Sequence, residues 1–263
     1  MKIIVCVKQV PSTNEVRMDP VTKTIIRDGR QAVINPFDTY AIEEAVRLKE
    51  KLGGAVYALS MGIPATERLL RDAMARGVDR SVLLTDRAFA GADTLATSYA
   101  LSLGVKQIGK FDLILCGKMA VDGDTAQIGP ELSAQLGIPF VTDVCEILEA
   151  DEKKIVCRKN TDDGFAEVEI RLPALITVAK DINMPRFPSI SGIRFSLSAP
   201  FRSYTAEGVN ADVSRCGLSG SPTQVVRSFT PDRTHKAEKL TGPMRGIAEK
   251  TLRIFEEAGQ NGR

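Results

Sequence analysis

Histidine is almost missing from this chain: His235 is the only one, and it lies in a polar segment. A histidine-based triad or zinc site within the chain is thereby excluded, and with it the side chain best suited to proton transfer near neutral pH. Cysteines are few and dispersed, and Cys6, Cys116, Cys145, Cys157 and Cys216 form no CxxC pair. An iron–sulfur cluster, which needs clustered thiolates, is left out, and the odd set reads as reduced thiols, several inside apolar strand runs. No stretch approaches the roughly 18 uninterrupted apolar residues of a membrane span. Met1-Lys2 leads into IIVCV, which meets charge again at Lys8 and is too short for a secretory signal, so a cytoplasmic, most simply bacterial, protein is expected. There is also no charge excess: 35 basic against 33 acidic side chains leave +2, which predicts no strong affinity for nucleic acid.

What is present is a soluble globular composition, 43% hydrophobic over 263 residues, enough for one large domain or one with a substantial appendage. The most informative stretch is LILCGKMAVDGDTAQIGPELSAQLG, from Leu113 to Gly137. Its apolar start reads as a buried strand, and Ile128, Leu132 and Leu136 mark one face of a helix. Between them lies the polar turn Asp122-Gly123-Asp124-Thr125. A strand passing through such a turn into a helix start is where an open α/β sheet binds nucleotides. Gly123 is expected to take a positive φ and let backbone approach a ligand. Asp122 and Asp124 would repel a diphosphate, so they are expected to cap the helix or hold ribose hydroxyls. Thr125 and Gln127, neutral and able to donate, suit phosphate better. An ordinary capped strand-to-helix junction would carry the same residues.

Strand and helix alternate through the first half. Strands are expected at Lys2–Val7, Ala55–Met61 and Ser81–Thr85, each followed by a helix, at about Thr39–Leu52, Ala65–Arg76 and Gly91–Leu103. Lys8 falls at a strand end where a ligand would lie, though a single lysine can equally be just solvated. Asp93 is a natural cap, and the Thr94 and Thr97 hydroxyls either meet a ligand or bond the preceding turn. Arg17–Val33, with Asp19-Pro20 and Asp28-Gly29, looks like a hairpin excursion. The alternation predicts an α/β fold with a doubly wound, mostly parallel sheet. After Pro139, Val141–Leu148, Lys154–Lys159 and Ala166–Val178 read as strands, with a hairpin turn at Asp162-Asp163-Gly164, forming an antiparallel sheet edge. Residues 181–193, DINMPRFPSISGI, read as a loop that carries Met184, Phe187 and Ile190, unusual for a merely solvated connection. From Phe195 the sequence reads as an arm lying on something else, closed by a helix at about Pro243–Ala258.

Over essentially its whole length the chain resembles the beta subunit of electron transfer flavoproteins, through VCVKQVP, INPFDTYAIEEAVRLKE, ALSMG, the 113–137 stretch and DINMPRFPSISGI. The resemblance implies a Rossmann-like adenine-nucleotide-binding domain over 1–194, with a recognition loop at 181–193, and a C-terminal arm and helix over 195–263 that pack on an alpha subunit. It assigns Cys6, Lys8, Asn35, Pro36, Phe37, Asp38, Ser60, Met61 and Gly62 to the nucleotide, with Val121, Asp122, Gly123, Asp124, Thr125, Ala126, Gln127, Ile128 and Gly129, and adds Thr94 and Thr97. Met184, Phe187 and Ile190 would dock a partner, Ile190 as the aliphatic anchor. The 122–130 turn, Gly91–Thr97 and Gly217–Thr223 resemble the electron-bifurcating kind. That kind implies FAD in this chain, NADH as donor, and electrons passed to a ferredoxin or flavodoxin and, through an alpha-subunit FAD, to an acyl-CoA or related dehydrogenase. The flavin would perform the redox chemistry, with no side chain needed as acid or base. The classical kind, holding only structural AMP, is the alternative. An adenine-nucleotide hydrolase would want GxxxxGK[ST] or a Ser-Gly-Gly phosphate loop, and neither is there.

Overall fold

The structure is a computed structural model that describes residues 1–12, 32–226 and 239–261. The turns and strand expected between Asp19 and Gly29 lie outside the described residues. Strand β1 (Lys2–Cys6) is followed by a small antiparallel pair, β2 (Gln9–Pro11) and β3 (Ala32–Ile34), and then by helix α1 (Pro36–Leu52). Pro36 supplies the fixed φ of a helical first turn, so α1 begins three residues earlier than its apolar stripe alone suggests. Next come β4 (Ala55–Met61), α2 (Glu67–Ala75), β5 (Arg80–Leu84), α3 (Thr94–Ile108), β6 (Leu113–Gly117) and α4 (Ile128–Leu136). A 3-10 turn at Pro64–Thr66 leads into α2.

The second half departs further from expectation. Strands β7 (Phe140–Ala150), β8 (Lys154–Thr161) and β9 (Gly164–Arg171) are antiparallel neighbours, with Thr161 opposite Gly164 across the Asp162-Asp163 turn. The single strand expected over Ala166–Val178 is two. After Leu172-Pro173 the chain leaves the edge, and β10 (Ala174–Val178) runs parallel between β6 and β7, buried on both faces. The expected loop 181–193 is also partly helical: α5 (Ile190–Ser198) starts inside it, capped by the Ser189 hydroxyl on Gly192 N–H. Residues 201–204 form β11 (Phe201–Tyr204), a parallel edge strand beside β5, so this part of the segment after Phe195 belongs to the sheet.

The sheet order is β11-β5-β4-β1-β6-β10-β7-β8-β9. Alternate residues of its central strands feed two cores. Ile3, Val5, Leu113 and Leu115 meet Ile42, Val46, Leu70 and Met74 of α1 and α2. Ile4, Cys6, Ile114 and Cys116 meet Tyr99, Leu103 and Leu132 of α3 and α4. From β1 the chain builds outward through β4 and β5, then returns to β1's other side with β6. The strand order therefore reverses at β1 and β6, and the crevice outside their carboxyl ends is the natural ligand position.

Residues to Val225 form one compact unit, and a second unit contains α6 (Met244–Asn261). Ile247 N–H bonds the Pro243 carbonyl at the start of α6. Met244, Leu252, Ile254 and Phe255 are exposed along it. Among the described residues no helix is long and apolar enough to cross a membrane.

Candidate functional site: a nucleotide cradle at the strand switch

The first wall is the end of β1. Lys8 N–H donates to Asp38 Oδ2 at 2.7 Å, and Asn35 Nδ2 donates to Asp38 Oδ1 at 3.0 Å. Gly117 N–H, at the end of β6, also donates to this carboxyl. Burial pushes Asp38 up to about 7, against the pull of those three N–H groups and the Lys8 ammonium. Only glycine fits at 117: a Cβ there would stand 2.5 Å from Asp38 Oδ1 and 2.6 Å from the Phe37 carbonyl carbon. Cys6 lies in the core shared with α3 and α4. Contact with its thiol, together with burial, pushes the Cys116 thiol well up.

The turn after β6 is tied to this wall. Asn35 Nδ2 donates to the Met119 carbonyl at 2.8 Å, and Asn35 Oδ1 accepts from Val121 N–H at 3.2 Å. Gly123 and Asp124 N–H groups both bond the Ala120 carbonyl. The left-handed residues are Asp124 (φ 53°) and Ala126 (φ 54°), not Gly123 as expected. Asp tolerates that region through its short polar side chain, whereas Ala there is strained by its surroundings. Neither aspartate caps α4, whose cap position is Gln127 with no side-chain cap bond. Asp122 instead forms an ion pair with Lys8 (2.7 Å), so Lys8 is not merely solvated, and the turn's first carboxylate carries its own counter-charge.

Thr125, Ala126 and Gln127 are exposed, and among the described residues their N–H groups take no backbone acceptor. With the free N–H groups of the first turn of α4 they form a concave donor set with partial positive charge, suited to phosphate oxygens. Gly129 lies against Thr177, where a Cβ would collide with the Thr177 methyl. Thr94 on α3 donates to Gln127 Oε1 (3.3 Å) or Glu131 Oε1 (3.0 Å), joining the two helix starts. Burial raises the Glu131 carboxyl, the Thr94 hydroxyl opposing it. Thr97 sits half-buried one turn on. At the end of β4 the Ser60 hydroxyl is buried with no hydrogen-bond partner, and Gly62 abuts Thr66, whose hydroxyl bonds Gln9. An orphaned buried hydroxyl, glycine close approaches and a donor-lined turn fit an adenine nucleotide laid across β4, β1 and β6.

Residues 22–208 match the electron transfer flavoprotein domain. The chain belongs to the electron transfer flavoprotein family, as a beta subunit. It is 46% identical to the electron transfer flavoprotein subunit beta of Thermoanaerobacterium thermosaccharolyticum, over 96% of each chain. It is 45% identical to that of Clostridium acetobutylicum over 98% of each. The caffeyl-CoA reductase-Etf complex subunit CarD of Acetobacterium woodii is 43% identical over 92% of each. Membership implies an alpha-subunit partner.

Two contacts in this beta subunit escaped the sequence reading. Asp93 caps α3 through Ala96 N–H, as expected, but its other oxygen accepts from Thr223 N–H (3.1 Å) and Oγ1 (2.9 Å), and its own N–H bonds Ser221 Oγ (2.8 Å). The segment 217–223 is thereby strapped to the α3 start. Burial opposes the Asp93 charge, but these donors outweigh it and hold the carboxyl below its usual range. Asp93→Ala is expected to cost about 1–2 kcal/mol of stability, with faster amide exchange at Thr223. Equal exchange at Thr223 in the two proteins would show that the strap does not hold.

The second contact anchors loop 181–189 to α1. Arg186 bonds Glu43 through Nε (2.8 Å), Nη2 (3.1 Å) and its backbone N–H (3.0 Å), and Glu50 through both Nη atoms. Asn183 bonds Glu44 and the Tyr40 carbonyl, and Arg76 bonds the Arg186 carbonyl. Burial works to raise Glu43, but the Arg186 hydrogen bonds prevail and lower it. Met184, Phe187 and Ile190 are all more than 80% exposed, and the stripe continues along α5 through Ile193 and Leu197.

Proposed function

We propose that this beta subunit holds FAD in the cradle and serves an NADH-oxidising, electron-bifurcating flavoprotein. The observation that carries the reading is the exposed run Thr125–Gln127, whose N–H groups take no backbone acceptor and lead into the start of α4, in a turn whose first aspartate is paired with Lys8. A diphosphate needs more donors than a single phosphate. When bound, FAD supplies hydride acceptance from NADH and electron delivery both to a ferredoxin or flavodoxin and, through the alpha-subunit FAD, to an acyl-CoA-type dehydrogenase.

The chain's own groups bind and orient. Thr125–Gly129 hold phosphate oxygens; Asn35 and Asp38 fix the turn; Ser60–Gly62 close the β4 side; Thr94 steadies Gln127. Residues 226–263, with the exposed apolar side chains of α6, serve as the arm that packs on the alpha subunit. Met184, Phe187 and Ile190 form the docking patch for the dehydrogenase. A relative named as part of a caffeyl-CoA reductase complex supports a partner of the acyl-CoA class.

The test is the nucleotide content of the co-expressed heterodimer, by absorbance and chromatography of released nucleotides. Two FAD per heterodimer, one bleached rapidly by NADH, is the expected result. One FAD and one AMP would replace this reading with the classical electron carrier, in which the beta subunit holds a structural nucleotide.

A further inference from the structure

Asn35 is almost wholly buried, and its amide is engaged on every side by the chain itself. Nδ2 serves Asp38 and the Met119 carbonyl while Oδ1 serves Val121 N–H. One side chain thus grips both ends of the backbone step that enters the nucleotide turn. A side-chain amide has two orientations related by a half-turn. In the flipped one, oxygen would face the Asp38 carboxylate and the Met119 carbonyl, and nitrogen would face Val121 N–H. An ionised Asp38 therefore selects the gripping orientation. A protonated Asp38 weakens that selection, because donors surround it (Lys8 N–H, Gly117 N–H, Asn35 Nδ2) and the flipped Asn35 oxygen is the acceptor its new proton needs, which offsets the mismatches at Met119 and Val121.

We propose that Asn35 positions the nucleotide turn and that Asp38, by selecting between the two orientations of the Asn35 amide, makes the turn's hold on its nucleotide depend on proton uptake. This inference rests on the nucleotide reading of the cradle. The balance is set near neutrality, since burial holds the Asp38 carboxyl up to about 7. The charged and titratable groups facing Asp38 are the Lys8 ammonium, itself paired with Asp122, and the Cys116 thiol beneath, which contact with Cys6 and burial hold well above its ordinary value. The Cys116 thiol, held up by contact with Cys6 and by burial, stays neutral over this range, and the second ionisation of the AMP phosphate, at about 6, is common to wild type and variants, so the contribution of Asp38 is the difference between their profiles.

The sign separates the proposal from a purely structural role. The folded-state carboxyl sits above its unfolded value of 3.8, so its contribution to the stability of the nucleotide-free protein is present below that value and lost as pH rises through about 7. Nucleotide affinity moves the other way, falling as pH falls.

The experiment measures AMP affinity by calorimetry for the full chain in its heterodimer, stripped of nucleotide, between pH 6 and 8. Beyond the weakening that protonation of the AMP phosphate itself brings, the wild type is expected to bind about tenfold more weakly at pH 6 than at pH 8. Asp38→Asn, which mimics the protonated carboxyl, and Asn35→Leu, which can bond neither Met119 nor Val121, should bind weakly, with only the pH dependence that the AMP phosphate itself brings. A wild-type profile no steeper than that of Asp38→Asn or, if the variants fail to fold, no steeper than the ionisation of the AMP phosphate alone gives, overturns the proposal and leaves the cradle reading standing. An Asp38→Asn protein that binds as tightly as wild type also overturns it. Absence of both AMP and FAD binding by the wild type would overturn the cradle reading as well.

Discussion

Replacing Gly117 by alanine is expected to empty the cradle of nucleotide and to lower stability by about 3 kcal/mol, near the upper end for an overpacked site. The added methyl would press on the Asp38 carboxyl and on the backbone and Cβ of Phe37, at 2.5–2.7 Å. None of these can yield as a flexible side-chain end would. Phe37 lies in the first turn of α1, Asp38 is held by three N–H groups, and Asn35 depends on Asp38, so the displacement reaches Met119 and Val121. Gly123→Ala is the control: its new Cβ would meet only Lys8 Nζ, at 3.9 Å, and a change within about 0.5 kcal/mol is expected. Nucleotide content after purification and thermal denaturation read both variants. A Gly117→Ala protein that keeps its nucleotide and its melting temperature would refute the close packing.

Arg186→Ala is the second large effect, at about 2 kcal/mol. Losing one partner of a buried pair costs roughly 3–5 kcal/mol, discounted here because the guanidinium is 34% exposed to water. The loss falls on Glu43, whose side chain is 4% exposed and would keep only Arg47. Arg47→Ala, removing a half-exposed pair partner on the same helix, should cost within about 0.5 kcal/mol. Adding Glu43→Gln to Arg186→Ala should recover part of the loss by removing the stranded charge. The pH dependence follows from the lowered Glu43 carboxyl: its contribution is complete above the unfolded value of 4.5 and lost as pH falls through the folded one, so Arg186→Ala should flatten the acid limb of the stability profile. Denaturant melts across pH give the energies, and cleavage within 181–189 by a dilute protease reports the loosened loop. Equal protection of that loop in Arg186→Ala and wild type would show that the clamp is dispensable.

Much of the central sheet could be read from composition alone, because strands covered on both faces are nearly continuous apolar runs: IIVCV, AVYALSM and LILC need no partner to be recognised. The break between β9 and β10 was signalled too, by the change from the alternating EVEIR to the mostly apolar ALITV across Pro173, but a single β-branched run hid it. Helix α5 was masked by Pro185 and Pro188 just before its short span, and β11 is only FRSY, too brief for any period to register. In the site, the turn was legible as a ligand position, whereas its backbone was not. Left-handed geometry settled on Asp124 and Ala126, positions whose residue types do not announce it, while Gly123 did without it. Asp93 was visible as a cap, since capping is local. Its grip on Thr223, like that of Arg186 on Glu43, joins positions far apart in sequence, and no local pattern encodes such a pairing.

Helix α1 has two employments. Its first turn carries Phe37 and Asp38 at the cradle, and its next turns carry Glu43, Glu44 and Glu50, which moor loop 181–189. The loop is therefore not an independent cassette. Grafting it from one beta subunit onto another transfers its shape only if residues 43, 44 and 50 travel with it. A graft carried further toward the amino end of the same helix would disturb the nucleotide turn as well.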